Sequence, residues 1–587
     1  MKILRIGLGL VMVAAVAVGG MAAVKLSNPD LPAAQPVSSV VELDQGWSAE
    51  DRARYHFTAQ GTLLMPLAWV QAMERGFFSS EKLFAPDSLS GLRELNDGVS
   101  PGQPWNAAGL PIGWSVDSWA SPATPDGPKL AKVGFNCAAC HTGQINYKGV
   151  ALRIEGGGAL HDAGTLQEMV GKALLATNYL PWKRSRFLDA VSAATGAPRD
   201  VVSAQLSGAA AKAFAAVKQS FATKLYEPEG YGRLDALQRI ANTVFADDLL
   251  EPSNNRHGDG QVKFPYIWDI WRLDWVQYNA SVRQPMVRNV GEALGVRAET
   301  NFVDENGLTI AAPQRWASSV HVRNLEWMED TLQKLRPPVW PEAVLGKIDR
   351  TLAASGRGLF ETHCAGCHGI HVAQDRNPAE WVVTSIPVEK IGTDPNAATN
   401  FKTHTYSGAK LGRGELVAAD ALSLVTEAVK NNRYAALNLT PAQIAAADGF
   451  GRKNEVRDNL VYKARPLVGI WATPPYLHNG AVPTLFDLLS PTRPASFTIG
   501  SREYDPVHVG YDITPFPGGQ TLDTTKPGNS NAGHWFTNDT RPGAIGTELT
   551  PGQRMALIEY LKSASYAEYP CTDVASRQAL TGAMCGG

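Results

Sequence analysis

"NCAACHTG", Asn136 to Gly143, holds Cys137, Cys140 and His141 at a C-x-x-C-H spacing. "HCAGCHG", His363 to Gly369, repeats it with Cys364, Cys367 and His368. This is the attachment pattern of c-type haem: two thiols add to the vinyl groups, and the adjacent imidazole, held on the proximal side, reaches iron. A zinc knuckle or a thioredoxin-like redox pair needs only C-x-x-C and leaves the adjacent His of both copies unexplained. The reading is two covalently bound haem c groups. If protein ligands close both irons, the pair is an electron wire; if one is open, that one can do chemistry.

At 587 residues the chain is too long for one small cytochrome. A formal charge of -2 leaves no footprint for nucleic acid or an acidic membrane face. The composition, 44% hydrophobic and 19% charged, is that of a soluble globular protein with ample core. Residues 1–23 read as a signal peptide: Lys2 and Arg5 start it, "IGLGLVMVAAVAVGGMAAV" is its apolar run, and "GMA" precedes the cleavage point before Ala23. The alternative is an uncleaved anchor, since Ile6 to Val24 is just long enough to span a bilayer. Either way the bulk of the chain is expected outside the cytoplasm, in the periplasm or secreted, with membrane contact only through an uncleaved anchor. Four of the six cysteines sit in the two motifs, and in an oxidising compartment the remaining Cys571 and Cys585 are expected to pair.

Residues 24–45, rich in Pro and Ala, read as a tether, residues 46–338 as a first, catalytic haem domain, and residues 339–587 as a second cytochrome c domain. "LQKLRPPVWP", Leu332 to Pro341, reads as the linker between them, because paired prolines stop a helix and stiffen a connection. "VLGKIDRTLAASGRGLFETHCAGCH" reads as the opening helix of a class I cytochrome c domain and its haem turn. "LTPGQRMALIEYLKSA" reads as the closing helix, with Thr550 as N-cap, Pro551 at the first helical position, and Met555, Ile558 and Leu561 on one apolar face. The expected fold is mainly α with extensive loops: two class I cytochrome c-like haem domains with long insertions.

For the sixth ligand of the second haem, His534 in "GNSNAGHWF" is the first choice. A Gly- and Asn-rich loop can bring a side chain down onto iron, and this one precedes the closing helix. His478 in "PPYLHNGAVPTL" and His508 in "DPVHVG" are rivals, whereas His363 and His371 lie too near the attachment turn. At the first haem, His161 in "EGGGALHDAG" is either a ligand or a loop residue beside an open site. "FPYIWDIWRLDWVQYNASV" places Trp268, Trp271 and Trp275 between the motifs, as core or as an aromatic bridge between haems. A propionate could then accept an indole N–H.

"RPLVGIWATPPYLHNGAVPTLFDLL", Arg465 to Leu489, resembles the segment around the second haem in the di-haem cytochrome c peroxidase superfamily. "GYGRLDAL", "FPYIWD", "RNVGEALGV", "IGTDP", "SREYDPVHVGYD" and "GNSNAGH" are similar to its rubber-oxygenase branch, and the resemblance covers most of the chain after about residue 50. It implies chemistry at the N-terminal haem, with His141 proximal and an open or dioxygen-bearing distal side. It also implies a C-terminal haem ligated by His368 and His534, and Trp268 as the inter-haem tryptophan. In the superfamily the His of "PYLHNG" is not normally a ligand, which lowers His478; His508 and His161 sit where the family has no ligand.

Three functions follow. The first is an oxygenase that activates dioxygen at the N-terminal haem against C=C bonds of a long apolar molecule, an unsaturated fatty acid or an isoprenoid. The second is a peroxidase that takes electrons from a small cytochrome to hydrogen peroxide, with His161 as acid-base group. The third is an electron carrier with both irons closed. Candidate catalytic residues are His141, Trp268 and His161.

Overall fold

Ser48 and Thr550 open two helices by the same device. The Ser48 hydroxyl accepts from the Asp51 N–H and the Asp51 carboxylate accepts from the Ser48 N–H, starting the helix Ala49–Phe57. Thr550 and Gln553 reciprocate in the same way, with Pro551 at the first helical position of the helix Pro551–Ser563. A computed structural model describes residues 28–96, 98–119, 130–222, 224–373 and 380–571 of the chain; side chains of 216–222 are left aside. The expected leader, 1–23, and Cys585 lie outside the described residues. Cys571 is disulfide-bonded, and the four motif cysteines are free.

In the C-terminal half, the helix Arg350–His363 leads straight into the haem turn and packs across the closing helix Pro551–Ser563. Gly356 makes that crossing possible, because a Cβ there would run into the Ala556 carbonyl. Phe360 then packs on Tyr560, ring centroids 5.0 Å apart. The N-terminal half pairs its opening helix Ala49–Phe57 with Val322–Leu332, and the Trp47 indole donates to the Thr331 carbonyl at 2.8 Å. Its haem motif does not follow the opening helix directly. Residues 58–135 intervene, and a lobe of three helices, Ala163–Tyr179, Pro181–Thr195 and Arg199–Ala222, is added after the motif.

The expected fold class is corrected. The fold is mixed, with 39% helix and 18% strand, rather than mainly α. The strands are short: Thr142–Tyr147 leaves the first haem turn directly and pairs antiparallel with Val150–Glu155. That strand's other edge takes Ser39–Glu42 in parallel, so part of the expected tether is a strand. The expected linker is likewise packed: Leu335 and Trp340 are buried, and the Pro338 carbonyl accepts from the Trp471 indole at 3.2 Å. One apolar core runs through both halves, taking in Trp268, Trp340, Phe360 and Trp471.

Candidate haem sites

Each C-x-x-C-H sits on a short helix, Cys137–His141 and Ala365–His368. Asn136 caps the first, accepting from the Ala138 N–H while its Nδ2 donates to the carbonyls of Tyr55, His56 and Thr58. That side chain ties the haem turn to the end of the opening helix, which chain connectivity does not do here. The His141 Nδ1–H donates to the Pro265 carbonyl at 2.8 Å, and the His368 Nδ1–H to the Arg465 carbonyl, also at 2.8 Å. With Nδ1 committed, Nε2 is the nitrogen left for a metal, and the imidazole is oriented before metal arrives. Burial lowers the pKa of His141 to about 4 and that of His368 below the usual value, which keeps both neutral as ligands must be.

The two acceptor carbonyls belong to an internal repeat. Residues 263–285 and 463–485 share a backbone in register: left-handed Asp269 and Gly469, then the 3₁₀ turns Ile270–Arg272 and Ile470–Ala472. Left-handed Gln277 and Leu477 follow, with the bridges Val276 to Val282 and Tyr476 to Val482. The copies face each other reciprocally. Lys263 N–H donates to the His478 carbonyl and Lys463 N–H to the Tyr278 carbonyl, each at 2.9 Å. Sequence reasoning missed this repeat, although Lys263, Ile270, Trp271, Asn279 and Val282 recur 200 positions on as Lys463, Ile470, Trp471, Asn479 and Val482.

The faces opposite the proximal histidines differ. The His534 ring stands 6.3 Å from the His368 ring, centroid to centroid. Two metal–nitrogen bonds of about 2 Å, plus about 1 Å from each ring centre to its nitrogen, span that distance, so one metal fits between them. His534 has φ 51°, and Arg493 fixes its loop by donating to the carbonyls of Gly533 and His534 at 2.9 Å and of Leu488 at 3.0 Å. Among the described residues, His141 has no histidine ring in such contact.

His161 is buried, and its Nδ1–H donates to Glu94 Oε1 at 2.5 Å; the Trp114 indole donates to Glu94 Oε2 at 3.0 Å. Burial pulls the His161 pKa down, but the Glu94 carboxylate outweighs it and the net shift is upward. The two rivals for the second haem lie elsewhere. His478 stacks on Tyr462 at 4.1 Å, and His508 is exposed with Nδ1 on Asp505 at 2.8 Å.

Trp268 lies where the two repeats meet. Its indole donates to the Val468 carbonyl at 3.0 Å and its ring stacks on Tyr266 at 4.5 Å. Its N–H is therefore not free for a propionate. Trp271 and Trp381 instead have buried indole N–H groups without a protein acceptor, as do Nε of Arg272 and of Arg465. The Arg272 guanidinium lies 4.2 Å from the Trp271 ring and 5.2 Å from that of Trp381. Trp275 lies under Arg457 at 3.7 Å.

These residues fit covalent haem on three grounds. Buried N–H donors need acceptors, and propionate carboxylates are of the right kind. Burial pushes the Cys137 and Cys364 thiols up to about 12, the reverse of a reactive redox cysteine. Among the described residues no three His, Cys, Asp or Glu side chains converge as a zinc site requires.

Comparison with known proteins finds cytochrome c families over the C-terminal half. Residues 353–447 match the cytochrome c family, and residues 461–498 match the family described as RoxA-like, cytochrome c-like. The uncharacterized protein y4iJ of Sinorhizobium fredii is 39% identical over 93% of this chain and 97% of its own length. A second uncharacterized protein of that organism, y4iM, is 28% identical over 51% of this chain and 63% of its own length.

Proposed function

This chain belongs to one family with y4iJ and is a RoxA-like cytochrome c protein, and on that premise we propose an exported di-haem oxidoreductase whose N-terminal haem activates dioxygen against C=C bonds of a long apolar substrate. The observation that carries this reading is the axial asymmetry: His368 has His534 opposite it, and His141 has no histidine partner among the described residues. Bound haem supplies redox-active iron. The chain's own part is to hold His141 and His368 by carbonyls of facing repeats, to set His534 opposite His368, and to set no histidine, among the described residues, opposite His141. An open site is what distinguishes an oxygenase from a carrier. The resemblance of "FPYIWD", "GNSNAGH" and their neighbours to rubber oxygenases supports an unsaturated fatty acid or an isoprenoid as substrate.

The test supplies the purified protein, carrying both haems, with oleate or polyisoprene and dioxygen, without reductant. Oxygen uptake with oxygenated or cleaved product is expected. Absence of uptake with every unsaturated lipid tried would overturn the reading.

A second reading, peroxide reduction with a small cytochrome as donor, is supported by the buried His161–Glu94 pair, whose groups are of the acid-base kind that reaction uses. Replacing His161 with Ala should then cripple turnover with hydrogen peroxide and reduced donor. Unchanged turnover would remove His161 from that role.

A further inference from the structure

Arg465 links its own carbonyl, which holds His368, to the segment whose Pro265 carbonyl holds His141. Its carbonyl accepts from His368 Nδ1 at 2.8 Å. Its side chain crosses to the other repeat, where Nη1 donates to the Tyr266 carbonyl at 2.8 Å and Nη2 to the Trp268 carbonyl at 2.7 Å. Those carbonyls lie one and three residues after Pro265, whose carbonyl is the acceptor for His141. The guanidinium also lies 3.8 Å from the Tyr266 ring, and Tyr266 Oη returns to the Pro466 carbonyl at 2.7 Å. A closed circuit of hydrogen bonds therefore joins residues 265–268 to residues 465–468. The guanidinium itself has no counterpart, because the position equivalent to Arg465 in the first repeat is Pro265, which has no side-chain donor.

We propose that Arg465 is a positioning residue shared by the two haem sites, setting the C-terminal proximal ligand with its main chain and the N-terminal one with its side chain. The inference rests on the reading of both motifs as haem sites. Its consequence is counter to proximity along the chain. Any substitution keeps the carbonyl that holds His368, so loss of the side chain is felt at the haem of His141, whose motif lies more than 300 residues away in sequence. Planarity matters as well as charge: the fork reaches two carbonyls two residues apart, which an ammonium group cannot do in the same geometry.

The experiment uses the full chain with its haems attached, comparing wild type, Arg465→Met and Arg465→Lys. Haem content is measured by mass, axial ligation by resonance Raman and electron paramagnetic resonance, and the two midpoint potentials by spectroelectrochemistry. In Arg465→Met, the low-spin signature of the C-terminal haem should persist. The N-terminal haem should change its iron–histidine stretch and fall in potential, because a nearby positive charge that favours the reduced state is gone. Arg465→Lys should recover the potential but not the stretch. Arg457→Met is the control, since Arg457 holds the Ala280 carbonyl at 2.7 Å in the same repeat without touching 265–268; it should change neither haem.

An N-terminal haem unchanged in both Arg465 variants, or a change confined to the C-terminal haem, would overturn the proposal. Should Arg465→Met fail to keep both haems, the stretch in Arg465→Lys decides by itself. Wild-type protein carrying fewer than two haems would instead defeat the di-haem reading, a separate and recognisable failure.

Discussion

The two candidate haem sites are alike on one side and unlike on the other. On the proximal side, a histidine Nδ1–H meets a carbonyl at 2.8 Å in both, and the carbonyls occupy equivalent positions of a repeated backbone. On the distal side, the C-terminal site has His534 at bis-histidine spacing, and the N-terminal site has no histidine ring in that position among the described residues. The proximal bond sets only the ligand's tautomer and direction, a requirement that every haem c site shares. The distal residue decides whether anything else can bind, so it is there that duplicated sites can diverge in function without disturbing the frame.

The sharpest test of this contrast removes one site at a time. Replacing Cys364 and Cys367 with Ala should lower the protein's mass by one haem and leave a single haem that binds carbon monoxide when reduced. Replacing Cys137 and Cys140 should leave a single low-spin haem that does not. Carbon monoxide binding by the second variant would break the comparison outright.

Next in size is His534→Ala. It should convert the C-terminal haem to a five-coordinate state and raise carbon monoxide uptake by the reduced protein from one equivalent to two. A smaller effect is expected from Arg493→Met, which leaves His534 in place but strips the donors from the carbonyls of Leu488, Gly533 and His534. Each buried acceptor left unsatisfied costs roughly 1–3 kcal/mol. With φ at 51°, His534 depends on that support. A partial high-spin population in the resonance Raman spectrum is the expected sign, and a fully low-spin spectrum would mean that the loop holds itself.

How much of this was legible before the fold is seen depends on range. The two motifs and the caps at Thr550 and Pro551 are local, and their chemistry is written in adjacent residues. The place of His534 beside His368 was reachable because a Gly- and Asn-rich loop next to the closing helix advertises a backbone free to bend. The support from Arg493 was not reachable, since it comes from a separate segment. The repeat at 263 and 463 escaped notice for a physical reason. Cys137 and Cys364 are 227 positions apart, whereas the repeat is offset by 200, so the motifs and their supports are out of step. What recurs is the pattern of left-handed turns, which Asp269 and Ala280 adopt as well as Gly469 and Gly480, so glycine does not mark it. The strands escaped because many are two to four residues long, too short for alternation to show.

The smallest expected effect concerns the lysines that clamp the repeats together. Lys263 Nζ donates to the carbonyls of Thr473 and Pro475, and Lys463 Nζ to that of Gln277, so each reaches into the other copy. Among the described residues no carboxylate pairs with Lys263, and burial lowers its pKa to about 7; burial drives Lys463 well below its usual value too. An unfolded lysine titrates near 10.4. Between about pH 7 and that value the unfolded chain therefore binds more protons at Lys263 than the folded one, and its contribution to stability rises with pH. Below about 7 both states are protonated and the cost of burying the charge is fully felt. Lys263→Met removes this dependence. The stability difference between wild type and variant should shift in favour of wild type as pH rises from about 7, by at most about 1.4 kcal/mol per unit. Denaturant unfolding at several pH values measures it. A difference that does not change with pH would mean that Lys263 keeps its proton in the folded protein, and that the clamp between the haem sites is charged rather than neutral.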